Sequence, residues 1–341
     1  MHPELIPTVR AMMTPGKGLL AMDESTPTCH KRFAALGIPQ TEEYRRAWRE
    51  LIVTTPGLGE GISGAILVEE TLRQKTKDGR PFVQCLQKAG IVPGIKVDMG
   101  AHALAGFPGE KVTDGLDGLR DRLKEYFDLG ARFAKWRAVI IIGEGIPTNG
   151  CLEANCHALA RYAALCQEAG IVPIVEPEVL MDGAHTLQRC AEVTEETQVK
   201  LFGQLYEQRV DLRTTILKPN MVLPGLKCPT QDSVDAVADA TVRVLLKTVP
   251  HAVPGVAFLS GGQPAELATA RLNAMHLSYP KTPWTVTFSY SRATQQPALD
   301  LWLGKDENVS AAQKALYHRA KLNGLAQKGE YKAEMEKEPL T

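Results

Sequence analysis

Eight short β-rich runs recur along the chain, roughly 30 to 45 residues apart, and each interval is long enough for a helix and its loops. They cover 18–23, 62–69, 92–98, 132–139, 172–178, 214–221, 255–260 and 284–290. Between them the spacing predicts amphipathic helices. Over 43–53, Tyr44, Ala47, Trp48, Leu51 and Ile52 form one apolar stripe, and Leu116, Leu119, Leu123 and Phe127 repeat that period. The phrase Ala-Gly-Ile-Val-Pro occurs at Ala89 and again at Ala169; Gly90 and Gly170 sit where a helix ends in a left-handed residue.

No Ser/Gly tract or charge block divides the series. Eight unbroken βα units therefore predict an α/β chain closed into a (β/α)8 TIM barrel, a single domain over 1–341. An N-terminal extension covers about 1–15 and a short C-terminal tail about 332–341. An open doubly wound sheet would carry a glycine-rich nucleotide turn after its first strand, but here Asp23-Glu24-Ser25-Thr26 follows.

Composition removes several function classes. Lys and Arg number 39 against 39 Asp and Glu, so the broad basic excess of a nucleic-acid or anionic-membrane binder is missing. The longest aliphatic stretch, Ala138 to Ile142, is far short of a membrane span. Two early prolines and the lack of an apolar core behind a basic region predict no secretory signal. Seven cysteines with no C-x-x-C fit a reduced, cytoplasmic protein, and eight scattered histidines offer no metal-binding spacing, so neither a metal nor a cofactor is expected.

In such a barrel the chemistry gathers at the C-terminal ends of the strands. There the chain carries ionisable residues two apart: Lys96 and Asp98, Lys135 and Arg137, Glu176 and Glu178. With a period of two, each pair projects to one face of its strand. Trp136, between Lys135 and Arg137, should point outward to the helices. Charges converging on an interior must compensate one another, which argues for a site rather than for packing. Lys218 stands out, directly after a β run and directly before Pro219, so it should lie at the barrel mouth; Glu176-Pro177 repeats the device. Desolvation and the nearby cation of Lys135 favour a neutral amine able to attack a carbonyl, with Glu176 to shuttle protons. For a phosphate, Ser260-Gly261-Gly262 opens a helix after the seventh run, and Arg292 follows Ser289-Tyr290-Ser291 after the eighth.

The segments GKGLLAMDEST, GIKVDMG, FAKWR, GIVPIVEPE, LKPNMV, FLSGGQ and TFSYSRA, in this order between about Pro15 and Tyr331, resemble class I, Schiff-base fructose-1,6-bisphosphate aldolases. The resemblance implies reversible cleavage of fructose 1,6-bisphosphate to dihydroxyacetone phosphate and glyceraldehyde 3-phosphate. It implies Lys218 as the Schiff-base lysine, Glu176 as general acid/base with Glu178 beside it, Lys135 as the assisting cation and Asp23 as an orienting carboxylate. It further implies Ser260, Gly261 and Arg292 at the ketose-end phosphate and Ser25, Lys31, Arg32 and Lys96 toward the other end of the sugar, with Gly262, Arg137 and Ser289 as further substrate- or phosphate-binding candidates. The implied partner is a small sugar phosphate, and the implied assembly a homotetramer. Three departures stand out: Pro27 and Thr28 replace a glycine and a serine, Ser291 replaces a glycine, and KEPLT stands where animal members end in a catalytic tyrosine. A Schiff-base enzyme for another ketose phosphate, a transaldolase-like enzyme and a non-catalytic scaffold barrel remain the alternatives.

Overall fold

A computed structural model describes residues 2–338; the last three residues of the tail lie outside that range. Eight parallel strands close into one barrel: β1 Gly18–Ala21, β2 Ile62–Leu67, β3 Val92–Lys96, β4 Phe133–Ile140, β5 Val172–Val179, β6 Ile216–Leu217, β7 Gly255–Phe258 and β8 Thr285–Tyr290. Neighbours follow chain order, and β8 pairs with β1. The eight runs all form strands. Six are trimmed and the fourth and fifth each run one residue further at the C-terminal end; the sixth is shortened most, where the 3-10 turn Leu212–Thr214 and Pro219 leave only two ladder residues. A two-stranded antiparallel hairpin, Ala101–Ala103 with Lys111–Thr113, was not predicted.

The period-two alternation sorts each strand into two packings. Leu20, Ala65, Ile95, Ala134, Trp136, Val175 and Leu217 face outward into the core beneath the helices, and Trp136 packs at 5.6 Å against Tyr162. The inward set begins apolar at the strands' N-terminal ends, with Leu19, Ile66, Phe133, Val172, Ile174 and Ile216. Phe133 fills that layer so completely that a Cβ on Gly94 would stand 2.3 Å from its ring. Leu5, Val9, Met12 and Met13, from the N-terminal segment that carries the helix Ile6–Met12, join the same cluster. The region predicted as an extension is therefore the floor of the barrel.

Further along the same stripes the inward residues become polar: Phe133 is followed by Lys135 and Arg137, Ile174 by Glu176 and Glu178, and Ile216 by Lys218. The apolar layer makes the barrel stable, and the charged layer above it, where backbone gives way to loops, forms the site. Gly90 and Gly170 adopt φ of 72° and 72°, as helix-ending residues do.

Candidate active site

A cavity of about 380 Å³ opens at the C-terminal ends of the strands. It is lined by Asp23, Ser25, Arg32, Lys96, Lys135, Arg137, Glu176, Glu178, Lys218, Ser260, Gly261, Gly262, Ser289 and Arg292. Lys31 is placed elsewhere, exposed on the helix Thr26–Ala35 beside the inward-facing Arg32.

At its centre four side chains form a continuous run of alternating charge. Lys135 Nζ lies 2.6 Å from Asp23 Oδ2 and 3.1 Å from Glu176 Oε2, and Lys218 Nζ lies 3.1 Å from Glu176 Oε1. Lys135, Glu176 and Lys218 are each only 3% exposed. Such burial is tolerable because two cations and two carboxylates compensate one another. Glu176 Oε2, although at ion-pair distance from Lys135, makes no hydrogen bond among the described residues. One edge of the carboxylate is thus left without a hydrogen-bond donor.

Electrostatics separates the two lysines. Burial alone would push the Lys135 ammonium down, but Asp23 and Glu176 outweigh it and hold the group above the usual lysine range. Burial likewise pushes Asp23 up, and Lys135 with Lys218 outweighs it, holding the carboxyl well below the usual carboxylate range. Lys135 is therefore a fixed cation and Asp23 a fixed anion. Lys218 touches one carboxylate and stands at the open end of the run. The sequence expected Lys135 as its electrostatic neighbour; the structure interposes Glu176, whose Oε1 lies 3.1 Å from Lys218 Nζ.

A second layer orients the walls. Asp98 Oδ1 accepts from Lys96 Nζ at 2.5 Å and from the Gly100 N–H at 3.2 Å, while its Oδ2 accepts from the Arg137 N–H at 3.2 Å. Glu178 pairs with Arg137 Nε rather than with Lys218, and burial of that guanidinium is more than offset by this carboxylate. The unpredicted hairpin braces this wall, since Thr113 Oγ1 donates to the Arg137 carbonyl at 2.8 Å. Opposite, Ser289 is 1% exposed and its Oγ has no hydrogen-bond partner among the described residues. Gly261 and Gly262 adopt φ of 58° and 88°, which turns the loop after β7.

Sequence reasoning missed Glu24. It is a buried carboxylate bonded to Arg32 at 2.6 Å, Arg49 at 2.7 Å, Ser291 Oγ at 2.7 Å and Gln295 Nε2 at 2.8 Å. Burial raises its affinity for a proton, but Arg49 and Arg32 overcome this and hold it at about 2. It resembled one more loop residue because its partners come from three different helices, one of them about 270 residues down the chain. Its position directly after Asp23 was the available signal.

Comparison with known proteins bears on this geometry. Residues 4–340 match the family model for class-I fructose-bisphosphate aldolase. A probable fructose-bisphosphate aldolase class 1 of Xanthomonas axonopodis pv. citri is 60% identical over 331 residues, 96% of this chain and 98% of that protein. Cytosolic fructose-bisphosphate aldolase 4 of Arabidopsis thaliana is 52% identical, with 97% of this chain and 84% of that protein covered. Among solved structures, the Plasmodium falciparum fructose-bisphosphate aldolase, in a ternary complex with TRAP and a small-molecule inhibitor, superposes with a TM-score of 0.95 at 47% identity. That match covers 97% of this chain and 95% of that one.

Proposed function

The chain belongs to the class-I fructose-bisphosphate aldolase family and catalyses the reversible cleavage of fructose 1,6-bisphosphate, and on that premise we propose that Lys218 is its Schiff-base lysine and Glu176 its proton carrier. The observation that carries this assignment is the buried run Asp23, Lys135, Glu176, Lys218, in which only Lys218 is both near a proton acceptor and at the open end.

The neutral Lys218 Nζ attacks C2 of the open-chain ketose, forming a C–N bond while the carbonyl oxygen takes a proton. Glu176 then protonates the carbinolamine hydroxyl, water leaves, and a protonated imine remains. That cation draws the electron pair of the C3–C4 bond as the C4 hydroxyl loses its proton to a carboxylate. Glyceraldehyde 3-phosphate departs and an enamine stays on Lys218. Protonation at C3 and hydrolysis of the imine release dihydroxyacetone phosphate and restore the amine. Lys135, held cationic, stabilises negative charge that develops on oxygen in the carbinolamine steps, and Asp23 orients Lys135 and the sugar hydroxyls.

The phosphates belong at the two rims. Ser260, Gly261 and Gly262 follow β7, Ser289 lies near the end of β8 and Arg292 just after it, and their backbone N–H groups and guanidinium suit one phosphoryl group. Ser25, Arg32, Lys96 and Arg137 face the other end, and Lys31 contributes charge there only from outside the cavity. Family resemblance further supports a homotetramer working in the cytoplasm. Val199 and Tyr206, exposed two turns apart on the helix Leu187–Glu207, offer an apolar strip for a neighbour to cover. Substitution of Lys218→Met tests the central assignment: turnover stops while the far-ultraviolet circular dichroism remains that of the parent. Cleavage at the parent rate would refute it.

A further inference from the structure

Ser291 occupies the N-cap position of the helix Arg292–Trp302, where a serine hydroxyl ordinarily accepts a hydrogen bond from the first turn. Here it makes no such cap. The hydroxyl instead donates to Glu24 Oε1 at 2.7 Å and accepts from Arg32 Nη2 at 3.3 Å and Gln295 Nε2 at 3.4 Å. Together with Arg32 and Gln295 it gives Glu24 Oε1 three donors, while Arg49 takes Oε2. The carboxylate is saturated, and its charge is directed onto Arg32 and Arg49.

The next residue, Arg292, is in the opposite condition. It is exposed, lines the cavity, and forms no ion pair or side-chain hydrogen bond among the described residues. Its guanidinium lies over Gly262, where a Cβ would come within 2.6 Å of Nη2, so the loops after β7 and β8 meet through the missing side chain. Two arginines thus flank one turn: one compensated by Glu24, the other left with its full charge facing the cavity.

We propose that Ser291 is a positioning residue for phosphate, holding Glu24 onto Arg32 so that this carboxylate does not compete for Arg292. Without the hydroxyl, the ionised Oε1 loses one of its three donors, and Arg292, one residue along the chain from Ser291, is a cation with no carboxylate partner among the described residues. An ion pair there would have to be broken each time a phosphoryl group binds. This inference rests on the proposed role of Arg292 as a phosphate ligand.

The test measures the inhibition constant of inorganic phosphate and the KM for fructose 1,6-bisphosphate in Ser291→Ala, Arg292→Ala and the double variant. Ser291→Gly serves as a second hydroxyl-free variant. Ser291→Ala should raise both constants about two- to fivefold, the range set by a partly exposed ion pair, with the loss falling on KM rather than on kcat. In the Arg292→Ala background it should add nothing, because the residue through which it acts is gone. An equal rise in both backgrounds, a loss confined to kcat, or no rise in the parent would overturn the inference. If Arg292→Ala itself left phosphate inhibition unchanged, the reading of Arg292 would fail and this inference with it. If Arg292→Ala weakened phosphate and neither Ser291 variant did, only this inference would fail.

Discussion

Lys218 Nζ stands 3.1 Å from Glu176 Oε1 although Lys218 follows a two-residue strand and Glu176 lies inside a strand of eight. The register explains it: Val175 pairs with Leu217, and the Lys218 N–H donates to the Val175 carbonyl at 2.8 Å, so the next residue on each strand carries one half of the pair. Pro219 then ends the ladder and keeps the amine at the mouth. The position of the proposed nucleophile is thus fixed by main-chain hydrogen bonding, and its ionic partner by the parity of the neighbouring strand.

Replacing Glu176→Gln keeps the volume of the side chain and removes its ability to carry a proton. Steady-state kinetics should show kcat reduced about 10²- to 10⁴-fold, the range for loss of a positioned acid/base. Single-turnover measurements should place the delay in the formation and dehydration of the carbinolamine. A kcat within a factor of two of the parent would remove Glu176 from the proton path.

The buried Glu24 makes acid sensitivity specific. Its folded value of about 2 lies below the reference of 4.5, so its contribution to stability is complete above pH 4.5 and is lost as pH falls toward 2. The interval corresponds to about 3 kcal/mol. Denaturant midpoints measured from pH 6 down to pH 2 should fall steeply through this window. In Glu24→Gln, the less stable variant at neutral pH, the slope should be shallower; an unchanged slope would show that Glu24 is not the group responsible.

The barrel interior gives a prediction about packing alone. In Gly94→Ala the new Cβ would stand 2.3 Å from the ring of the fully buried Phe133, which has nowhere to go in the floor layer. Overpacking of this kind should cost about 2 kcal/mol, read as a lowered denaturant midpoint at constant m-value. A midpoint equal to the parent's would mean that the layer is looser than its geometry.

What the sequence made legible follows from which signals are local. The inward projection of Lys135, Arg137, Glu176 and Glu178 depends only on the two-residue period of a strand, and Lys218 was marked by Pro219. The hairpin was invisible because Ala101, His102 and Ala103 carry no β-forming side chain, and only pairing with Lys111, Val112 and Thr113 makes them a strand. The N-terminal segment looked like an appendage because its partners, Ile66, Phe133 and Ile216, lie in strands far down the chain. Arg32 and Lys31 differ by about 100° on one helix, and composition could not say which faced the cavity. Glu24 and Ser291 are 267 residues apart, so their bond exists only once β8 closes against β1.

Borohydride reduction of the protein in the presence of dihydroxyacetone phosphate, followed by peptide mass mapping, tests the Schiff-base assignment most directly. The geometry predicts one stable adduct, on Lys218, with Lys135 unmodified because Asp23 and Glu176 keep it charged. An adduct on Lys135, or complete substrate turnover with no adduct on Lys218, would contradict it.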